Sequence, residues 1–129
     1  MQTANAASDL RGVSGFEILE LAATATESIA MSDFINNQTF TRVDFGQGGT
    51  GTLTVSNATE SVTEVRLLAG PPGDTIVFDR LVDSTSNSLT ISSRADNSIA
   101  VTALTIADEE TVSISGSSAA NDLTVTQLN

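Results

Sequence analysis

One four-residue string recurs through the chain and constrains its fold more than any other feature. An apolar residue alternates with a hydroxyl residue in Leu53-Thr54-Val55-Ser56, Leu89-Thr90-Ile91-Ser92, Val112-Ser113-Ile114-Ser115 and Leu123-Thr124-Val125-Thr126, with Leu104-Thr105-Ile106-Ala107 a close variant. Alternation of period two sends the apolar pair to one face and the hydroxyls to the other, the pattern of a half-buried strand. Looser segments of the same kind lie between the copies: Phe16 to Leu21, Ser28 to Met31, Arg42 to Phe45, Glu64 to Leu67 and Thr75 to Phe78. The spacing of these segments, about 12 residues from centre to centre, is that of an all-β chain. Turn residues occupy the gaps, notably Gly46 to Gly51, Gly70-Pro71-Pro72-Gly73-Asp74, Asp83 to Asn87 and Gly116-Ser117-Ser118. Between Glu27 and Asn37 the apolar residues Ile29, Met31, Phe34 and Ile35 fit neither period, which leaves room for one short helical turn.

Two architectures accept such strands: an immunoglobulin-like β-sandwich of antiparallel sheets, and a parallel β-solenoid in which the chain coils and each turn stacks on the last. A sandwich holds its sheets about 10 Å apart and fills the gap with bulky side chains, including a core Trp and a corner Tyr in the antibody-related members. This chain has no Trp and no Tyr, and Phe supplies all 5 of its aromatic residues. A solenoid stacks its coils about 4.8 Å apart, so ladders of Val, Ile, Leu and Ala fill a narrow interior. The 18 Thr and 16 Ser then line the outside as hydroxyl ladders, with β-branched Thr favouring extended backbone. Two strands to a coil of about 23 residues give five to six coils, above the ~3 that such arrays need. The solenoid is the leading expectation and the sandwich its alternative, in either case as one domain over residues 1–129.

The runs Val13-Ser14-Gly15-Phe16-Glu17-Ile18-Leu19-Glu20-Leu21, Thr41-Arg42-Val43-Asp44-Phe45-Gly46, Gly51-Thr52-Leu53-Thr54-Val55, Thr63-Glu64-Val65-Arg66-Leu67 and Glu110-Thr111-Val112-Ser113-Ile114 resemble the repeat region of RTX-type bacterial surface-layer (S-layer) proteins. Those proteins place similar strings between Thr/Ser-rich spacers in the same order, and the likeness covers nearly the whole chain. The resemblance implies a right-handed parallel β-helix, export to the cell surface without an N-terminal signal, and self-assembly into an extracellular, calcium-dependent lattice. It also implies that the chain is an internal segment of a longer secreted protein, since the family's secretion signal sits at a far C-terminus.

The family's calcium motif is a Gly-rich nonapeptide whose sixth position is a ligand Asp. Gly48-Gly49-Thr50-Gly51-Thr52 matches its first five positions, but Leu53 stands where the Asp belongs. Other carboxylates sit at turns: Asp74 with Asp79 and Asp83, Asp96 beside Asn97, Asp108-Glu109-Glu110, and Asp122 beside Asn121. If coils stack these turns, carboxylates from different coils converge, and binding one hard cation relieves their repulsion. Asp74, Asp96, Asp108, Glu109, Glu110 and Asp122 are therefore the candidate metal ligands, with Ca2+ as the candidate ion; the competing reading is a solvated acidic edge.

Composition removes most chemistry. Without Cys or His there is no zinc triad, thiol nucleophile or imidazole base, and Ser has no His or Lys to activate it. Paired carboxylates for glycoside cleavage lack the Trp or Tyr platform that sugars stack on, so no enzyme activity is expected. A net charge of -11 with only five basic residues repels nucleic acid and anionic lipid. No apolar stretch approaches the roughly 20 residues that cross a bilayer. Arg42, Arg66, Arg80 and Arg94 are expected mostly as exposed partners of Asp or Glu, with one of them bridging coils or subunits as the other possibility. The sequons at Asn37 and Asn57 are matches that chance explains in a chain so rich in Thr and Ser. The leading function is a structural module that associates with itself or with neighbouring solenoid segments. Its alternative is an adhesin-type binding module that presents the Gly70 to Gly73 loop and the Gly-rich loop before Leu53 to a glycan or protein partner.

Overall fold

The computed structural model describes residues 15–21, 27–34, 40–46, 51–69, 74–93, 99–116 and 123–129. Among them run the strands β1 (Ile18–Leu21), β2 (Glu27–Ala30), β3 (Arg42–Gly46), β4 (Thr52–Ala58), β5 (Glu64–Ala69), β6 (Asp74–Arg80), β7 (Ser88–Ser93), β8 (Ile99–Thr105), β9 (Thr111–Ser115) and β10 (Leu123–Val125). A single 3-10 turn at Met31–Asp33 follows β2, inside the segment where the two periods clash. Odd strands form one five-stranded sheet in the order β1-β3-β5-β7-β9, and even strands form another in the order β10-β8-β6-β4-β2.

Every strand pairing in both sheets is parallel. Parallel neighbours cannot be joined by a hairpin, and here the crossover that joins neighbours of one sheet contains a strand of the other. The chain is therefore all-β, with parallel strands stacked as a β-solenoid. The antiparallel sandwich is overturned: its strands would meet through hairpins, whereas paired residues here lie from 22 apart (Arg42 opposite Glu64) to 28 apart (Ile76 opposite Leu104).

Stacking of like on like builds the core. In the first sheet one inward ladder reads Leu19, Val43, Val65, Ile91, Ile114. In the second, Leu53, Ile76 and Leu104 stack in the same way, and a parallel bridge extends that column to Leu128. Val43, Val65, Ile91, Leu53, Ile76 and Leu104 are fully buried, and each contributes about 1.5–3 kcal/mol of hydrophobic stabilisation. Phe34, Phe40, Phe45 and Phe78 complete the core, with Phe34 and Phe40 edge to face at 5.0 Å.

Local sequence irregularities shift this scheme in three places. The string at Leu104 to Ala107 is only half strand, because β8 begins at Ile99 and ends at Thr105. Thr102 is an extra residue there, since Asp74 opposes Val101 but Thr75 opposes Ala103. β4 carries another extra residue where the pairing passes from Val55 opposite Phe78 to Ala58 opposite Arg80. Asn57, at φ 55°, takes up that excess in the left-handed conformation that Asn tolerates better than other side chains. The third difference concerns the outer faces. Hydroxyl rungs do occur on the second sheet, where Ser28 neighbours Thr54 and Thr52 neighbours Thr75. On the first sheet they occur between β7 and β9, where Thr90 neighbours Ser113 and Ser92 neighbours Ser115, but between β3 and β5 the rungs are charged, with Arg42 beside Glu64 and Asp44 beside Arg66.

Candidate functional site: the polar corner at Arg80

The loops that leave β4, β6 and β8 stack at one corner of the solenoid. Leu81 N donates to Ala58 O at 3.0 Å, and Glu110 N donates to Asn87 O at 3.2 Å, so the loop after β6 is bonded to the loops before and after it. Arg80 ends β6 on the inward face, in phase with Ile76 and Phe78. The bulge at Asn57 sets Ala58, one of the smallest residues, opposite this longest one.

The Arg80 side chain is 1 % exposed and pairs with Glu109, whose side chain is 0 % exposed. Its Nε donates to Glu109 Oε1 at 2.5 Å, its Nη1 to the carbonyls of Thr59 (2.8 Å) and Val62 (2.7 Å), and its Nη2 to the carbonyl of Ser88 (3.1 Å). The guanidinium also lies 4.8 Å from the centre of the Phe78 ring. A planar cation with five N–H donors is the side chain suited to such a place, because a buried charge is tolerated only when paired and hydrogen-bonded. Arg80 is thus not an exposed partner but the bridge between coils that the sequence offered as the other possibility: the end of β6 is covered by three stacked loops, so the ion pair is enclosed. Glu109 Oε2 has no hydrogen-bond partner among the described residues.

Asp108 and Asn87 tie the same corner. The Asp108 Oδ2 accepts from Arg80 N at 3.1 Å, and the Asn87 amide donates to Val82 O and Asp108 O, both at 3.2 Å. Ser84 Oγ donates to Asn87 Oδ1 at 2.8 Å. Asp79, outward on β6, meets Asp108 from the next winding. The hydrogen bond between their carboxyls, then burial, then like charge push the Asp79 pKa above its ordinary value.

These contacts locate the candidate metal ligands. Asp108 and Glu109 lie at the corner, Glu109 is committed to Arg80, and Glu110 is exposed beside them. Asp74 opens β6, and its side chain lies outside the described set, as do Asp96 and Asp122. Among the described residues no group of three or more acidic side chains is placed to hold a metal ion. Convergence of carboxylates from different windings occurs, and its members are Asp79 and Asp108. Leu53, at the ligand position of the nonapeptide, is a fully buried core residue. Asn57 of the second sequon donates to Ser32 Oγ at 3.3 Å, while Asn37, Arg94, the loop at 70–73 and most of the Gly-rich loop fall outside the described residues.

Two further features lie outside the corner, the first of them around the buried Asp44. On the first sheet, Arg42 binds Asp44 through Nε and Nη2, Arg66 binds Glu64, and Ser92 Oγ donates to Glu64. Asp44 raises the Arg42 pKa through its hydrogen bond. Burial pushes Glu64 upward, but the Ser92 hydroxyl with Arg66 and Arg42 outweighs it and holds the carboxyl below its usual range. Near the corner, Ala58, Thr59, Glu60, Ser61, Leu81 and Val82 line a depression of about 360 Å³.

The alternation Ile76, Phe78, Arg80 is the signal that marks Arg80 as inward; its partner Glu109 carries no such mark, because it lies in a loop. No protein-family model, curated protein or solved structure matches the chain.

Proposed function

We propose that the chain is a non-enzymatic structural module of an extracellular bacterial surface layer or RTX-type surface protein, a right-handed parallel β-helix that self-assembles. The five strands in each sheet support five windings, one odd and one even strand to each, at the lower end of the five to six that the repeat suggests. The observation that carries the reading is where the described charges go. Arg80 and Glu109 bind one winding to the next, and Glu64 is held by Arg66 of its own strand and Ser92 of the neighbouring one. Such side chains stiffen a stack and transmit load along it. Calcium enters as a clamp at Asp79 and Asp108, where a cation relieves the like-charge repulsion between the two carboxylates.

Concentrated protein dialysed into millimolar calcium tests the reading. Ordered assemblies in negative-stain micrographs and a raised melting midpoint support it. An unmoved midpoint removes the calcium clamp, and a chain that stays monomeric at every concentration removes the self-assembling module.

The depression beside Leu81 and Val82, which are 56 % and 60 % exposed, favours a second reading as an adhesin-type module with a glycan or protein ligand. Screening of immobilised glycans with wild type and Leu81→Asp checks it: binding that the variant loses supports a ligand site there.

A further inference from the structure

The inward ladder of the first sheet ends on an anomaly. Val43, Val65 and Ile91 are 0 % exposed, whereas Ile114, next in the same column, is 44 % exposed. Val112 repeats the pattern, half-buried beside the buried Leu89. Nothing in the two residue types accounts for this: Ile91 and Ile114 are identical and hold the same ladder position. The cause is that β9 closes its sheet, so among the described residues no strand pairs with its outer edge. At the opposite end β1 is likewise terminal, with Leu19 half-buried at the foot of the same column.

A strand that completes the Ile114 rung must satisfy three conditions. It must run parallel to β9, since every pairing in the stack is parallel. It must place an aliphatic residue inward at the Ile114 position. It must offer the edge of N–H and C=O groups complementary to the one β9 presents. β1 of a second copy meets all three, because β1 and β9 are the two ends of one parallel series.

We propose that copies of this chain join head to tail, with β9 of one against β1 of the next, Ile114 on Leu19 and Ser113 beside Ile18. The second sheet ends in the same way, on β10 at the β9 end and β2 at the β1 end, so both seams close together. The junction deepens the self-assembling reading above and rests on it. The net charge of -11 opposes contact between copies, so the junction forms best in about 0.5 M salt, where charges are screened beyond roughly 4 Å.

The chain has no Cys, so introduced thiols are the only ones present. Ile18→Cys and Ser113→Cys variants, singly and mixed, are treated with a short bis-maleimide and the products identified by mass. The mixture should give mixed dimers at least tenfold in excess of either homodimer. Homodimers of Ser113→Cys in equal or greater yield would show two β9 edges meeting and overturn the proposal. Separately, Ile114→Lys should weaken association at least tenfold in sedimentation velocity without loss of its circular-dichroism spectrum. Association undiminished in Ile114→Lys would overturn the junction while leaving self-assembly intact, whereas a wild type that stays monomeric to millimolar concentration would remove both.

Discussion

Replacing Arg80 with Met tests the polar corner most directly. Met keeps the unbranched stem beside Phe78 and removes the guanidinium, so packing changes little and electrostatics change greatly. The Glu109 carboxylate, 0 % exposed, then loses the cation that it pairs with, and the carbonyls of Thr59, Val62 and Ser88 lose the guanidinium as a donor. Removing one partner of a buried pair costs about 3–5 kcal/mol, chiefly because the other charge is stranded away from water. We expect about 4 kcal/mol from Arg80→Met, a large part of the roughly 5–15 kcal/mol that holds a small domain folded. The double variant Arg80→Met/Glu109→Met buries no charge and should recover at least half of that loss. Urea unfolding followed by circular dichroism measures both, with an unchanged denaturant slope showing that the folded state is preserved. A loss below about 1 kcal/mol in the single variant, or a double variant that loses the sum of the two singles, would refute the reasoning, because either result means that the charges are not enclosed and coupled.

Asp79→Asn should stabilise the chain at neutral pH. A carboxyl whose folded pKa is raised adds stability that is complete below its ordinary value of 3.8 and is lost as pH rises through the folded pKa. Asn keeps a donor towards Asp108 without charge, so its advantage, under about 1 kcal/mol at so exposed a residue, should appear above that pKa and vanish below it in melts taken from pH 3 to 7. Ser93 faces inward on the ladder above Leu67, and its buried hydroxyl has no partner among the described residues; Ser93→Ala should raise stability by about 1 kcal/mol in urea unfolding, and a destabilised variant would mean that the hydroxyl is satisfied.

The parts of the fold that repeat were legible in the sequence, and the parts that do not were not. Leu53-Thr54-Val55-Ser56 and Leu89-Thr90-Ile91-Ser92 declare their inward pairs because period two admits only two orientations, and both segments are strands with those pairs buried. The absence of Trp and Tyr favoured a narrow interior correctly. The strand limits of β8 escaped because one extra residue, Thr102, reverses the phase within the segment, and nothing in composition marks it. The charged rungs between β3 and β5 escaped for another reason: Arg42, Asp44, Glu64 and Arg66 are two residues apart in pairs, and only the register of 22 residues reveals that opposite charges also meet across strands. Asp108 was read as one member of an acidic run. The carboxyl it meets, that of Asp79, lies in a different winding, and a distance in sequence of about one coil says little until the loops are stacked.

The corner also answers a problem that the ladders create. Aliphatic rungs are nearly interchangeable, so a strand displaced by two residues still points its apolar residues inward and loses little burial. The loops do not impose a fixed spacing either, since paired residues are separated by 22 positions at Arg42 and Glu64 but by 28 at Ile76 and Leu104. Such a displacement at β6 would carry Arg80 away from Thr59, Val62, Ser88 and Glu109 together, and bury two charges without partners. A slip that costs the apolar core almost nothing therefore costs the polar corner several kcal/mol. The unpaired Glu109 oxygen fits this account: the pair sits where it holds neighbouring windings in register, at some expense to its own hydrogen bonding. A chain built from near-copies of one string can thus commit to a single stack, and a stack fixed in register is one that can be pulled without sliding.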